Sequence, residues 1–333
     1  MPSATSPRSS GSGWSGSSPP DVSWKTSSGA PLNHPRRPCM SDRAASSIYD
    51  LGYARYTGAR LGRQAILAEL FRYSLRGIFG LGRGLGSKVA PMGLVVLAAV
   101  PAFAQLAIGA LVPREVEVFR AEEYYGYIQV VIALFVAAAA PELYARDRRT
   151  GALALYLVRP LSREAYALTK LAALAAALLA ATLGPQLVLF VGNALASNDT
   201  ARYLSHEADT LPAVAASAVL IAVMSAALGA AIAVQSPRRA YTTVGIFAAF
   251  FLPWGVASAV VEAAGGGGAG YVLLGSPFHV IRGSTLWMFG AEPQPTSPLA
   301  TADLYGGLYA LAAVVFAAVG TYLVVRRYRE VAV

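Results

Sequence analysis

The chain has 333 residues, 55% of them hydrophobic and 14% charged, with a mean hydropathy of +0.49 and a formal net charge of +9. Soluble domains carry about 25% charged residues, so the composition is that of a membrane protein whose few charges lie outside the lipid. A single cysteine, Cys39, excludes a disulfide scaffold, and a nucleic-acid reading of the basic charge depends on where the 27 basic residues sit. All but three of those are Arg (the exceptions are Lys25, Lys88 and Lys170), which with abundant Ala, Gly and Pro points to a GC-rich, bacterial genome.

Residues 1–47 hold 14 serines and seven prolines with almost no apolar periodicity. They cannot bury enough surface to offset chain entropy, so a disordered tail is expected. No apolar stretch follows Arg8, so the tail is not a secretory signal. Met40 offers an alternative translation start, which would leave residues 1–39 untranslated. The remainder, 48–333, reads as one membrane domain. Over 64–88, Leu67, Leu70, Phe71, Leu75, Ile78 and Phe79 recur at helical spacing opposite Glu69, Arg72 and Arg76. A helix lying in the membrane interface is expected. Its end, Gly80 to Lys88, looks like a phosphate loop but has Gly-Ser-Lys in place of Gly-Lys-Ser/Thr and no preceding strand. It reads as a flexible joint.

Six apolar stretches, charged only near their ends, follow near 89–112, 124–143, 168–195, 212–234, 241–263 and 303–325, each close to the ~20 residues that cross a bilayer. The expected fold class is therefore an all-α integral membrane protein, six transmembrane helices preceded by an interfacial amphipathic helix. Pro91, Pro101, Pro185 and Pro253 fall inside spans, where neighbouring helices can re-satisfy the freed backbone. Ser225, Gly229 and Ala233 recur every four residues, as in closely packed helices, although simple alanine richness explains them equally. Residues 264–301 are broken by Gly275-Ser276-Pro277 and carry His279 and Arg282. They read as an extracytoplasmic loop or short re-entrant hairpin, with Trp287 and Phe289 as interface anchors.

With the N-terminus inside, 23 Lys/Arg fall on the cytoplasmic side and four outside, while ten of the 18 acids fall outside. The positive-inside rule then places both termini in the cytoplasm, and the net charge needs no nucleic acid to explain it. No charged residue lies in the central part of any span, where ion-coupled transporters and intramembrane enzymes need one. The embedded polar side chains are Gln105, Gln129 and Asn193, which are either helix-packing groups or pathway-lining ones. His34, His206 and His279 share no metal spacing, so no metal site and no catalytic group is expected.

One cytoplasmic loop, 144–164, reads as a site. Its Ala152–Val158 run is apolar but too short to span, and it is bracketed by Arg146, Arg148, Arg149, Arg159 and Arg163. Such a patch must bury against lipid, its own chain or a partner. Thr150 can cap a short helix there and Pro160 can end it. One or two apolar turns with a charged rim suit docking into a groove.

Glu142, Asp147-Arg148, Gly151, Leu153, Pro160, Ser162-Arg163, Tyr166 and Lys170 resemble the pattern between the second and third spans of ABC-2 type transporter permeases. Ile48–Tyr53 and Arg55–Gly58 likewise resemble the start of some bacterial permeases of this kind. The resemblance implies the permease subunit of an ATP-binding-cassette exporter in the bacterial plasma membrane, not itself an enzyme. Its implied partners are a separate ATPase, which would hold the ATP and Mg, and a second permease copy or a related one. The implied ATPase-coupling residues are Arg146, Asp147, Arg148, Arg149, Thr150, Gly151, Leu153, Leu155, Leu157, Arg159, Pro160, Ser162 and Arg163. The chain itself needs no cofactor. A membrane-embedded enzyme or secondary transporter, and a non-transporting scaffold subunit, are the other readings. The Ala-rich spans suit a hydrophobic or amphipathic cargo but name none.

Overall fold

The computed structural model describes Gly58 and residues 62–82, 84–111, 121–149, 161–197 and 200–330. The expected tail, the whole apolar run Ala152–Val158 of the loop between the second and third spans and its bracketing Arg159 lie outside these residues. Ten α-helices and two 3₁₀ segments occur among the described residues, with no strand. In chain order the helices are α1 (Arg63–Ile78), α2 (Gly86–Leu111), α3 (Ala121–Arg149), α4 (Arg163–Ala196), α5 (Thr200–Glu207), α6 (Leu211–Ala233), α7 (Arg239–Ala264), α8 (Pro277–Phe289), α9 (Pro298–Ala302) and α10 (Gly306–Arg329).

Six helical stretches are long and apolar enough to cross a membrane: α2, α3, α4, the run through α5 into α6, α7 and α10. A 24-residue helix rises about 36 Å, against a hydrocarbon core of about 30 Å. Their outward faces carry Val96, Leu252, Val314 and Val319, each at least half exposed. An apolar outer surface around an internally hydrogen-bonded bundle is what lipid requires. The protein is an all-α, multi-pass membrane protein.

The structure decides the meaning of the small residues on α6. This helix touches α3, α4, α7, α8 and α10, and Ser225, Gly229 and Ala233 are all buried. A Cβ on Gly229 would lie 2.1 Å from Val136 Cγ1 of α3. On the opposite contact, a Cβ on Gly320 of α10 would lie 2.7 Å from the backbone carbonyl of Ala227. The absence of side chains lets three backbones converge, so the spacing reflects packing and not composition alone.

Helix ends depart from the apolar stretches in instructive ways. The first helix stops at Ile78 and not at Lys88, because Gly80 takes φ +65° and opens a turn before α2. A side chain at Gly80 would strike the Ser87 carbonyl, 2.4 Å away. The apolar stripe of α1 packs on α3 and α4, with Leu70, Ser74 and Ile78 buried and the Glu69–Arg72 pair exposed. Helix α3 runs through Pro141 to Arg149, six residues past the expected end of its span. Glu142, Arg146 and Asp147 end the apolar stretch but not the helix, since charge limits lipid depth and not helical backbone. Helix α4 begins at Arg163, where Ser162 Oγ accepts from the Ala165 amide at 3.2 Å.

Between α7 and α10 the chain folds back into the bundle. A 3₁₀ segment, Gly267–Gly275, leads to α8, whose residues from Pro277 to Ile281 are buried, as are Gly283 to Leu286. Phe278 packs against Phe250, Phe251 and Trp254 of α7, with ring centroids 5.4, 5.1 and 6.4 Å apart. From Phe251 to the end of α7 at Ala264 is about 20 Å, so the tip of this intrusion reaches the middle of α7. The backbone of Gly267–Phe289 thus runs in along α7 and back out again. Trp287 is half-exposed at its outer end, against Tyr305.

Candidate functional site

The loop expected to carry the coupling run leaves the bundle from the end of α3 and returns at the start of α4. On the outgoing stem, Tyr144 and Asp147 lie three residues apart on α3; on the return, Tyr166 and Lys170 lie four apart on α4. Each spacing stacks an aromatic one helical turn from a charge on the same face. The two faces meet. Lys170 Nζ donates to Asp147 Oδ2 at 2.5 Å and to the Leu143 carbonyl at 2.7 Å, and Tyr166 Oη donates to Asp147 Oδ2 at 2.5 Å. The ammonium also sits 4.9 Å from the Tyr166 ring centroid and 5.9 Å from that of Tyr144. Tyr328 of α10 closes the cluster over both tyrosine rings, at 5.6 and 6.5 Å.

Burial makes this pair different from a surface bridge. The Lys170 side chain is 3% exposed and that of Asp147 12%. Each charge survives burial because the other neutralises it, with the Leu143 carbonyl and the Tyr166 hydroxyl as further partners. With its ammonium held by a carboxylate, a carbonyl and an aromatic face, Lys170 is not a free nucleophile or base. The arrangement acts as a clamp between α3 and α4.

Around it runs an exposed collar. Glu142 lies 3.7 Å from Arg146 and 3.8 Å from Arg239, joining α3 to the start of α7. Arg163 Nη1 donates to the Arg329 carbonyl at 3.2 Å, placing a cation at the C-terminal end of α10. Arg329 Nε in turn donates to Glu164 at 2.8 Å, and Arg63 Nη2 to Ser162 Oγ at 3.4 Å. The return stem is thus tied to α1 and α10, and the outgoing stem to α4 and α7.

Of the expected coupling residues, Arg146, Ser162 and Arg163 take part in this collar, and Asp147 lies inside the clamp and not on a docking rim. Arg148 and Arg149 complete α3. Thr150, Gly151, Leu153, Leu155, Leu157, Arg159 and Pro160 lie outside the described residues. Charge counting does not reveal the Asp147–Lys170 pair, because both residues count on the same side of the membrane. The signal that finds it is the paired Tyr-x-x-Asp and Tyr-x-x-x-Lys spacing.

The three embedded polar residues do not converge. Leu106, beside Gln105, packs on Gly192, beside Asn193, which places these two along the contact of α2 with α4. Gln129 instead lines a cavity of ≈ 260 Å³ between α3, α7 and α8, whose wall also includes Glu123, Trp254, His279 and Arg282. His279 is buried there between two hydroxyls, Nδ1 2.9 Å from Ser276 Oγ and Nε2 3.2 Å from Ser258 Oγ. Among the described residues, no three His, Cys, Asp or Glu side chains are grouped to hold a metal ion. No protein-family model matches the chain, and no curated protein matches it.

Proposed function

We propose that the chain is the permease subunit of an ATP-binding-cassette transporter, an exporter that draws its energy from a separate ATPase. In this reading it sits in a bacterial plasma membrane with both termini cytoplasmic, and two copies, or this chain and a related one, form the pathway. The observation that carries the proposal is the arginine-rimmed apolar run Ala152–Val158, held between two stems that are clamped to each other and to the bundle. An apolar turn on a rigid base can seat in a partner's groove and pass on its movement. The orientation follows from the Lys/Arg excess on the side of the loop. Closure of the ATPase pair would press on the loop and switch the permease between inward and outward access.

Purification of the tagged full chain from native membranes is expected to bring down an ATPase carrying a true phosphate loop. Leu155→Asp or Leu157→Asp places a charge in the docking run and should abolish that association while membrane insertion persists. Recovery of the intact chain without any ATPase would overturn the proposal, as would substrate export that survives both substitutions.

A further inference from the structure

The cavity lined by Gln129 is a built polar site that the coupling reading does not use. It opens beside the first turns of α3, at the end of the bundle opposite the loop. Its two charges are of opposite sign and are not spent on each other. Arg282 of α8 lies across Gly126, 3.1 Å from where a Cβ there would stand, and donates one bond, Nη1 to the Glu122 carbonyl at 2.9 Å. A guanidinium carries five N–H donors, so most of its fork has no partner among the described residues. Glu123, one turn from Gly126, accepts from Tyr127 Oη at 3.1 Å and from the exposed Gln294 at 3.4 Å. Deeper in the wall, Gln129 Oε1 is buried with no hydrogen-bond partner. A buried acceptor with no donor is costly, and a ligand N–H would relieve it. Trp254 and Tyr127 supply half-exposed ring surface at the rim.

These groups specify a ligand. An unspent guanidinium fork selects an oxyanion, carboxylate or phosphate. A carboxylate and an orphaned amide oxygen on the same wall, with aromatic rings beside them, select an ammonium, which has three donors and no acceptor. Glu123 and Gly126 are one turn apart, about 5 Å along the axis, so the two ends of the ligand are separated by a short spacer. At ≈ 260 Å³ the cavity is a little smaller than drug-sized ligand pockets, about 300–1,000 Å³, and suits a headgroup-sized molecule. We propose that the cavity between α3, α7 and α8 binds a small zwitterion that joins a primary ammonium to an oxyanion through a two-carbon spacer, with phosphoethanolamine as its simplest phosphate form. This site stands independently of the ATPase reading.

The test is binding by the purified full chain. Calorimetric titration with O-phosphoethanolamine, and with ethyl phosphate as the probe lacking the ammonium, should give saturable binding with at least a tenfold preference for the zwitterion. Glu123→Gln should erase that preference while leaving ethyl phosphate binding in place, which separates loss of recognition from loss of fold. Arg282→Gln should weaken both probes. In nanodiscs, native mass spectrometry with phosphatidylethanolamine against phosphatidylglycerol distinguishes the source. Retention of the ethanolamine lipid supports a lipid headgroup, and binding of the free probe supports a soluble ligand. Absence of saturable binding in both arms, or an unchanged preference in Glu123→Gln, would refute the site.

Discussion

Removing one member of the Asp147–Lys170 pair should cost more than any surface substitution, and the two members should not cost the same. Breaking a buried ion pair by deleting one partner destabilises by about 3–5 kcal/mol, because the other charge is left uncompensated. In Lys170→Met, Asp147 keeps the Tyr166 hydroxyl at 2.5 Å and has 12% of its side chain in contact with solvent. Its cost belongs at the lower end, about 3 kcal/mol. In Asp147→Asn, the ammonium keeps the Leu143 carbonyl and the Tyr166 ring but is 3% exposed, so its cost belongs at the upper end, about 5 kcal/mol. The double variant has no stranded charge. It should recover part of the loss and give a coupling energy of about 2–3 kcal/mol in a double-mutant cycle. Equilibrium unfolding in detergent, followed by far-ultraviolet circular dichroism, reads all three values. Additive single costs, or an Asp147→Asn cost below about 1 kcal/mol, would mean that the pair behaves as a surface bridge and that the clamp is not what joins the stems.

Two further substitutions probe the scaffold. Gly320→Ala forces a methyl against the Ala227 carbonyl, which is backbone and cannot rotate away, and should destabilise by about 1–3 kcal/mol. Gly255→Ala meets nothing within 4 Å and should be neutral or stabilising by up to about 1 kcal/mol, so a thermal melt of the two separates packing from helix propensity. Ser162→Ala removes the cap of α4 and should cost about 1 kcal/mol, with loss of ATPase association only if the return stem frays.

The bundle was legible because lipid imposes a length and a polarity on every span. All six apolar stretches correspond to helices, and of the two equal readings of the small-residue spacing on α6 the structure selects close contact. The helix ends were not legible from hydropathy: α3 continues through Glu142 and Asp147 because a helix near the interface tolerates charge that a mid-membrane turn does not. The same rule concealed the clamp, since a Lys and an Asp assigned to one aqueous side give no hint that they face each other. Gln129 was visible as a polar residue in an apolar span. Its cavity was not, because Glu123 and Arg282 lie 159 residues apart and only the backward fold of α8 brings them to one wall.

Helix α3 carries both places where this molecule departs from an inert bundle. Asp147 stands near one end and Glu123 near the other, about 36 Å apart at 1.5 Å per residue. The clamp ties the loop end of α3 to α4, so in the proposed reading a force on the loop shifts α3 and α4 together instead of prising them apart. The cavity end of α3 then moves against α7 and α8, which supply Trp254, His279 and Arg282. Coupling between two such sites is reciprocal by thermodynamic necessity. If ATPase engagement changes the affinity for O-phosphoethanolamine by some factor, the zwitterion must change ATPase affinity by the same factor, about 5–150-fold for coupling of 1–3 kcal/mol. Lys170→Met, which loosens the clamp without touching either surface, should shrink both factors equally. Identical zwitterion affinity with and without the bound ATPase would show that α3 does not connect them, while leaving each site to stand on its own test.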